Sequence, residues 1–490
     1  MELGLVPLLI SLLGYIFLGP VVTALLIVNE ILRIIVSYVL LYNFNDKIVL
    51  VSDGAEAAWA AKRAGKSNMV QVTVHTEQPI TEEKCIEYIT SRVMLEMDPL
   101  SGQKVNEKLE HILIEKYGYA CWKKDEDFNV KRHVRYLGSK IYCKPDMQSL
   151  FREISEDMGD NKPQWELVIV PRYKESKESP TTCLTIFRFH HAYADGLSVL
   201  MIVKKHFISD VTYYLDPCEL PVKIPPWKIY LYYANAIIFG PYTWLLVLIK
   251  KFRSFWPIRR SPCPVNEIGQ HQKHFTWANR FDLDKIRKIR KTIRNATISS
   301  IIENAFITAA TQVLPRERFP ENWFVTELAA FIPYKNTHPQ NRFSLFEYYI
   351  DSTQNEIERL ECSSNAASKA MLSPYIPVLF FLIKLCGRFP ICINKYIFAG
   401  ALSSMMVSNV PISKTKGKFV GTGDVLEFIG FPPQPTDIGI TVGCSSYNNS
   451  VKITACSDPN WLGEEELEGI VGRIPGIIAE WADKIGSKTE

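Results

Sequence analysis

TIFRFHHAYADGLSV, residues 185–199, is the stretch on which the reading of this chain turns. Its first half is an apolar run rich in β-branched and aromatic residues, which reads as a strand. That strand ends on His190 and His191, two of only 9 histidines in 490 residues. Asp195-Gly196 follows, and LSVLMIVKKHF then reads as a helix. The end of a strand holds a side chain rigidly yet leaves it accessible, which is where chemistry is placed. By composition, H-H-x-x-x-D-G arises by chance in such a chain only about three times in ten thousand, so the pattern is more than coincidence. Three uses compete: a buried structural histidine, a metal ligand, or a general base. A metal would need further ligands at set spacing, and His111, His133, His206 and His274 form no such set, so no metal is expected. Read as a base, His191 is a neutral imidazole able to take a proton near pH 7. His190 then positions or supports it, Asp195 fixes the loop and thereby the ring, and Gly196 lets the backbone turn tightly into the helix.

Working outward, QWELVIVP and TTCLTIFRFHH are separated by the polar RYKESKESP and read as a hairpin or neighbouring strands. MVQVTVHT alternates as a strand, and TEEKCIEYITSRVM follows as a helix with Thr81 as its N-cap. Downstream, FDLDKIRKIRKTI and TISSIIENAFITAATQVL read as helices, TDIGITVGCSSY and NSVKITACSD as strands, and residues 463–485 as a last helix. At 490 residues the chain exceeds a single core. The organisation expected is an anchor or hairpin at 1–42, a first α+β half at 43–226, an apolar insertion and crossover at 227–275, and a second α+β half at 276–490.

Residues 3–29 carry no charge, and an apolar run resumes after Glu30 and Arg33. About 20 apolar residues span a bilayer as a helix. Glu2 stands where a signal peptide has basic residues and no A-x-A site follows, so a retained anchor is expected. Gly19-Pro20 in mid-run leaves a hairpin open beside a simple span. Lys47, Lys62, Arg63 and Lys66 follow the anchor, which by the positive-inside rule puts the body in the cytosol. A second apolar stretch, 229–249, is dense in aromatics, flanked by cations and broken at Gly240-Pro241; a third, 375–406, holds Lys384, Arg388 and Lys395. Both read either as buried core helices or as re-entrant or interfacial elements.

A net charge of +4 and the lack of any nucleic-acid-binding signature exclude a nucleic-acid partner. Eleven cysteines without a CxxC pair read as reduced thiols, which suits a reducing compartment and argues that the sequons at Asn295 and Asn448 go unused. No G-x-S-x-G elbow is present, which removes the commonest serine hydrolase layout.

HHAYADG matches the HHxxxDG motif of the chloramphenicol-acetyltransferase-like superfamily, and the chain resembles above all its wax ester synthase/diacylglycerol acyltransferase family. PQWELVIV (163–170), QNRFSLF (340–346), SNVP (408–411) and SYNN (446–449) with Asp458 resemble further segments of that family. Ser299-Ser300 stands where the family has Asn-Asp, and Asn449 where Gly is usual. The resemblance implies an α+β fold of two chloramphenicol-acetyltransferase-like domains forming a pseudo-dimer, with an active-site tunnel between them. It implies a membrane-bound O-acyltransferase that uses acyl-CoA as co-substrate, needs no cofactor, and esterifies a long-chain alcohol or diacylglycerol to wax ester or triacylglycerol. His191 is then the general base, His190 a support, and Asp195 a structural residue paired with an arginine. With membrane lipid as a further partner, the setting implied is the endoplasmic reticulum with the body facing the cytosol, or else the plasma membrane. The rival, favoured by Ser299-Ser300, is a catalytically degenerate lipid-binding or scaffold protein of the same fold.

Overall fold

A computed structural model of the chain describes residues 5–61, 68–156, 158–159, 161–212, 214, 225–255, 273–330, 338–398, 403–434 and 438–486. The crossover expected at 253–275 falls largely outside these residues. The expected hairpin forms: Trp165–Tyr173 pairs antiparallel with Thr182–His190, and Met69–Thr76 pairs along the other edge of that strand. In the two hairpin strands only Arg172 is exposed, which explains near-continuous apolar runs in place of alternation. Further out on this sheet lie Val134–Tyr136 on one side and Gly423–Phe431, Lys418–Phe419 and Ile208–Ser209 on the other. Strands from beyond residue 417 therefore complete the sheet of the first half. Phe428 and Phe419 join Phe187 and Phe207 in its core.

A second sheet runs in the order Phe281–Asp282, Ser450–Ser457, Ile440–Tyr447, Met405–Ser413, Asn322–Ala330, Phe343–Asp351, with His274–Trp277 also paired to Ser450–Ser457. Met405–Ser413 is parallel to both its neighbours. Trp323, Val325, Tyr348 and Ile350 meet the helices Ile298–Val313, Glu356–Met371 and Glu464–Gly486 on one face. The opposite face carries Thr326, Leu328, Phe343, Leu345 and Glu347 toward the first half. The crossing strand joins the two sheets through a buried trio: Glu427 accepts from Lys452 and His75 at 3.1 Å each, and His75 also meets Thr182 at 2.7 Å. Burial alone raises the Glu427 carboxyl, but the His75 hydrogen bond and the Lys452 charge outweigh it and hold it at about 2.

The N-terminal apolar run forms one helix, Leu5–Phe44, long and apolar enough to cross a membrane. The hairpin at Gly19-Pro20 does not form. A π-turn at Gly14–Leu18, closed by the Gly19 amide on the Gly14 carbonyl, runs directly into Gly19-Pro20, and the helix continues through the proline. At 40 residues the helix is about 60 Å long, twice the hydrocarbon thickness. Its second half is docked on the body. Tyr119 donates to Asn29 at 3.1 Å, Arg388 pairs with Glu30 at 2.5 Å, and Arg33 donates to the Val51 carbonyl at 2.8 Å. Leu40 packs with Ile48 and Cys121 of a small sheet made by Ile48–Leu50, His111–Lys116 and Tyr119–Lys124.

The second apolar stretch forms an elbow of two helices, Pro226–Ile238 and Gly240–Phe255, bent by 61°. Pro241 has no N–H for the Ile237 carbonyl, and the Tyr15 hydroxyl of the N-terminal helix donates to that carbonyl instead. The Tyr242 amide donates to Ser11 Oγ at 3.3 Å. Gly14 lies against the break so closely that a Cβ there would sit 2.5 Å from Pro241 Cβ. The third stretch forms the helices Tyr375–Cys386 and Ile391–Ile397, and two of its three charges pair with other elements: Lys384 with Asp53 at 2.8 Å and Arg388 with Glu30, while Lys395 is exposed. The nine cysteines among the described residues are all free thiols.

One buried acid pair costs stability. The Tyr348 hydroxyl lies between Glu303 and Glu327, within hydrogen-bond reach of both, and Glu303 Oε1 has no hydrogen-bond partner among the described residues. Burial raises both carboxyls, and the charge of Glu327 raises Glu303 further, so one of the two holds a proton. A carboxyl raised by folding binds protons that the unfolded chain has released, so stability drains as pH climbs above the free carboxylate range. Glu303→Gln should therefore melt higher than the parent at pH 8, with the gap closing toward pH about 4. Thermal melts in detergent at the two pH values check this, and a gap that widens toward acid would contradict it.

Candidate active site

The opening stretch folds as strand, turn and helix because its ends are caught by neighbours. The His190 amide donates to the Gln164 carbonyl at 2.8 Å and the His191 amide to Asn68 at 2.7 Å, at the limits of the two flanking strands. Tyr193 closes the turn on the His190 carbonyl at 2.9 Å. Asp195 is the N-cap of the helix Gly196–Phe207, accepting from the Ser198 amide at 2.8 Å. Gly196 is the first helical residue, and a Cβ added there would meet nothing within 4 Å. The tight turn expected of Gly196 is therefore not what requires a glycine at this place.

A seam with the second half completes the arrangement. The Asp195 amide donates to the Gln340 carbonyl at 3.1 Å, Ser198 Oγ to the same carbonyl at 2.9 Å, and the Arg342 amide to Asp195 Oδ2 at 2.8 Å. Asp195 thus holds a backbone amide of residues 340–342 in addition to capping its own helix. The ring of His191 is oriented by Asn341, 150 residues downstream, rather than directly by Asp195. Asn341 Nδ2 donates to the His191 carbonyl at 2.8 Å, so Oδ1 must be the atom facing His191 Nδ1 at 2.7 Å. An amide oxygen only accepts, so Nδ1 carries the hydrogen and Nε2 keeps the lone pair. Trp59 stacks on the ring at 4.0 Å and 19°, and Phe343 meets it edge-on at 5.4 Å. Burial dominates the titration: it pushes His191 down to about 4 against the opposing pull of Asp195 and Asn341. The ring is therefore neutral throughout the physiological range. His190 is buried and turned into the loop, where its Nδ1 lies 3.2 Å from the Ala192 amide.

His191 lines a cavity of about 310 Å³ between the two halves. The floor is Thr326, Leu328, Phe343, Leu345 and Glu347; the roof is one stripe of the helix Tyr375–Cys386 together with Trp244, Val247 and Leu248 of the elbow. Its walls are mostly apolar, with Asn68, Thr326, Glu347 and Tyr375 as polar points beside His191. Among the described residues no group of three or more His, Cys, Asp or Glu side chains could hold a metal ion. Three residues of the site were not singled out in the sequence. Asn341 and Phe343 lay in the noted QNRFSLF segment without a role, whereas Trp59, in the run AAWAA, carries no pattern at all.

Two mixed halves, each with its own sheet, facing one another across a cavity with His191 at a strand end make this a two-domain chloramphenicol-acetyltransferase-like fold, the fold of condensation domains. The model of the WS/DGAT C-terminal domain family matches residues 341–466, which begin at Asn341. The structure is similar to the wax ester synthase/diacylglycerol acyltransferase from Marinobacter aquaeolei VT8, at 14% identity and a TM-score of 0.54, over 90% of this chain and 99% of that one. It is also similar to the trichothecene 15-O-acetyltransferase from Fusarium sporotrichioides, at 11% identity and a TM-score of 0.55, over 89% and 95% of the two chains. The cyclization-docking bidomain of a peptide synthetase from Sorangium cellulosum aligns at 11% identity and a TM-score of 0.51, over 89% and 84%. No curated protein sequence matches the chain. The fold read from the sequence is borne out, and the family the chain resembles is matched over residues 341–466.

Nitrogen NMR of labelled histidine should find His191 as the Nδ1–H tautomer at pH 7 and titrating near 4. A midpoint near the free value of about 6.5 would contradict the buried, neutral ring. Asn341→Leu should cost about 1–3 kcal/mol in unfolding free energy, because it leaves the ring N–H buried without an acceptor.

Proposed function

We propose that this chain is a membrane-bound O-acyltransferase that esterifies a long-chain alcohol or diacylglycerol with acyl-CoA, forming wax ester or triacylglycerol. The observation that carries the reading is a neutral imidazole whose Nδ1–H is anchored on Asn341, leaving Nε2 as the acceptor on a ring that lines an apolar cavity. His191 Nε2 takes the proton of the acceptor hydroxyl as its oxygen attacks the thioester carbonyl carbon of acyl-CoA. The tetrahedral oxyanion collapses, the C–S bond breaks, and the departing sulfur takes the proton back from Nε2, releasing ester and CoA. With both substrates held together no acyl-enzyme is needed. Asn341 supports this by fixing the tautomer, and Asp195 by holding the loop and residues 340–342 in place.

A ring held neutral to about 4 also accounts for how a base could work in a dry cavity. Burial lowers the base strength of Nε2, and the apolar surroundings keep bulk water from competing with the alcohol. The family match and the fold support acyl transfer. The apolar lining supports a lipid acceptor, and the helix Leu5–Phe44 supports a membrane setting. We assign the body to the cytosolic face, at the endoplasmic reticulum, from the basic residues after the helix and the free thiols. The rival of a lipid-binding scaffold has little structural support from Ser299-Ser300. Ser300 closes the capping box of Ile298–Val313, and neither serine lines the cavity.

His191→Ala should lower ester formation by about 10²–10⁴-fold while leaving the protein folded and membrane-associated. An acyl-CoA release assay over a panel of alcohols and diacylglycerols measures it, and near-normal turnover would remove the central assignment. Asn295 and Asn448 are both exposed, so either could carry a glycan in a lumenal compartment. Glycosidase treatment of protein from eukaryotic cells should leave gel mobility unchanged; a shift lost in Asn448→Gln or Asn295→Gln would reverse the topology.

A further inference from the structure

We infer that the acceptor reaches His191 sideways from inside the bilayer, between the helices Gly240–Phe255 and Tyr375–Cys386, which act as the two leaves of a lateral door. The inference deepens the acyl-transfer reading above and rests on it for the identity of the ligand as a lipid alcohol. Both helices have two apolar faces. Toward the cavity they present Val247, Leu248, Leu379 and Leu382; away from the body they leave Ile249, Phe381 and Leu385 exposed. The two helices pack against one another, and both contribute side chains to the cavity lining.

The depth of this roof follows from the N-terminal helix. Glu30 and Arg33 dock on the body, whereas Ser11, Gly14 and Tyr15 hold the Gly240-Pro241 break. Sixteen residues of helix separate Gly14 from Glu30, about 24 Å, and that segment is free of charge. If Leu5–Phe44 crosses the membrane, the elbow is pinned deep in the hydrocarbon. The two backbone groups disturbed by Pro241 are satisfied by Tyr15 and Ser11, as apolar surroundings demand. From that depth Gly240–Phe255 descends about 12 Å to Leu248 at the cavity. A long alkyl chain following this limb never leaves apolar surroundings. Each methylene drawn through water instead would lower its partitioning about fourfold.

The test uses His191→Ala protein in phosphatidylcholine vesicles that carry hexadecanol with a photoactivated diazirine on its chain. Irradiation and peptide mapping should place label on residues 244–248 and 379–383, removed by excess hexadecanol. Label confined to other parts of the body would overturn the lateral route, and this readout needs no turnover. In the otherwise unaltered chain, Gly14→Leu adds a side chain that is not part of the cavity lining and pushes on the Gly240-Pro241 break. Its KM for vesicle-borne hexadecanol should rise at least tenfold more than its KM for water-soluble 1-butanol; an equal change for the two alcohols would also overturn the proposal. If the unaltered enzyme esterifies no alcohol, the reaction assigned above is what fails, while the labelling still decides the route.

Discussion

The seam between residues 190–198 and 340–343 is the constraint from which the rest follows. A strand can bring a histidine to its end, but it cannot by itself decide which ring nitrogen carries the proton. Here that decision is made from across the molecule, by a buried asparagine whose own amide is fixed by the carbonyl of the residue it orients. The backbone bonds around Gln340, Arg342 and Asp195 keep that asparagine in place. Neither half alone contains both the ring and the group that orients it. The crossing strand Gly423–Phe431 and the Glu427 trio serve the same end, since they hold the two sheets so that the seam can close.

The apolar elements obey a second constraint, which is that a backbone break in an apolar setting needs outside partners. Gly240-Pro241 looks in the sequence like a simple interruption. In the structure it is a joint completed by Tyr15 and Ser11, more than 220 residues upstream. The same logic explains the charges in the third stretch. Lys384 and Arg388 are paired with Asp53 and Glu30, which leaves Phe381 and Leu385 of the same helix as exposed apolar side chains.

What was legible in the sequence was whatever is local. The hairpin, the Thr81 and Asp195 caps and the long helices all declare themselves within a dozen residues, through periodicity or a capping side chain. His191 was legible because two histidines and an Asp-Gly at short spacing are rare. What stayed hidden depends on contacts far apart along the chain. Trp59 stacks on His191 from a run of alanines, Asn341 acts from 150 residues away, and strands beyond residue 417 complete a sheet begun at residue 69. The hairpin left open at Gly19-Pro20 shows the limit of local reasoning from the other side. Proline removes one hydrogen bond and crowds the carbonyl of the preceding turn, and here a π-turn stands just before it while the helix runs on.

Ser299-Ser300 illustrates how a departure from a family pattern is judged by location. On the strand Asn322–Ala330, Thr326 and Leu328 face the cavity, so Glu327 between them faces the opposite way, toward the helix Ile298–Val313. Ser299 bonds with Glu327 on that far side, one turn before Glu303. The substitution therefore alters a buried acid cluster beneath the floor of the cavity rather than the cavity itself. An asparagine there would bring two donors to a pair of carboxylates that share too few, whereas a serine brings one. The position bears first on the titration and stability of the second half, and on the site only through the strand that forms its floor.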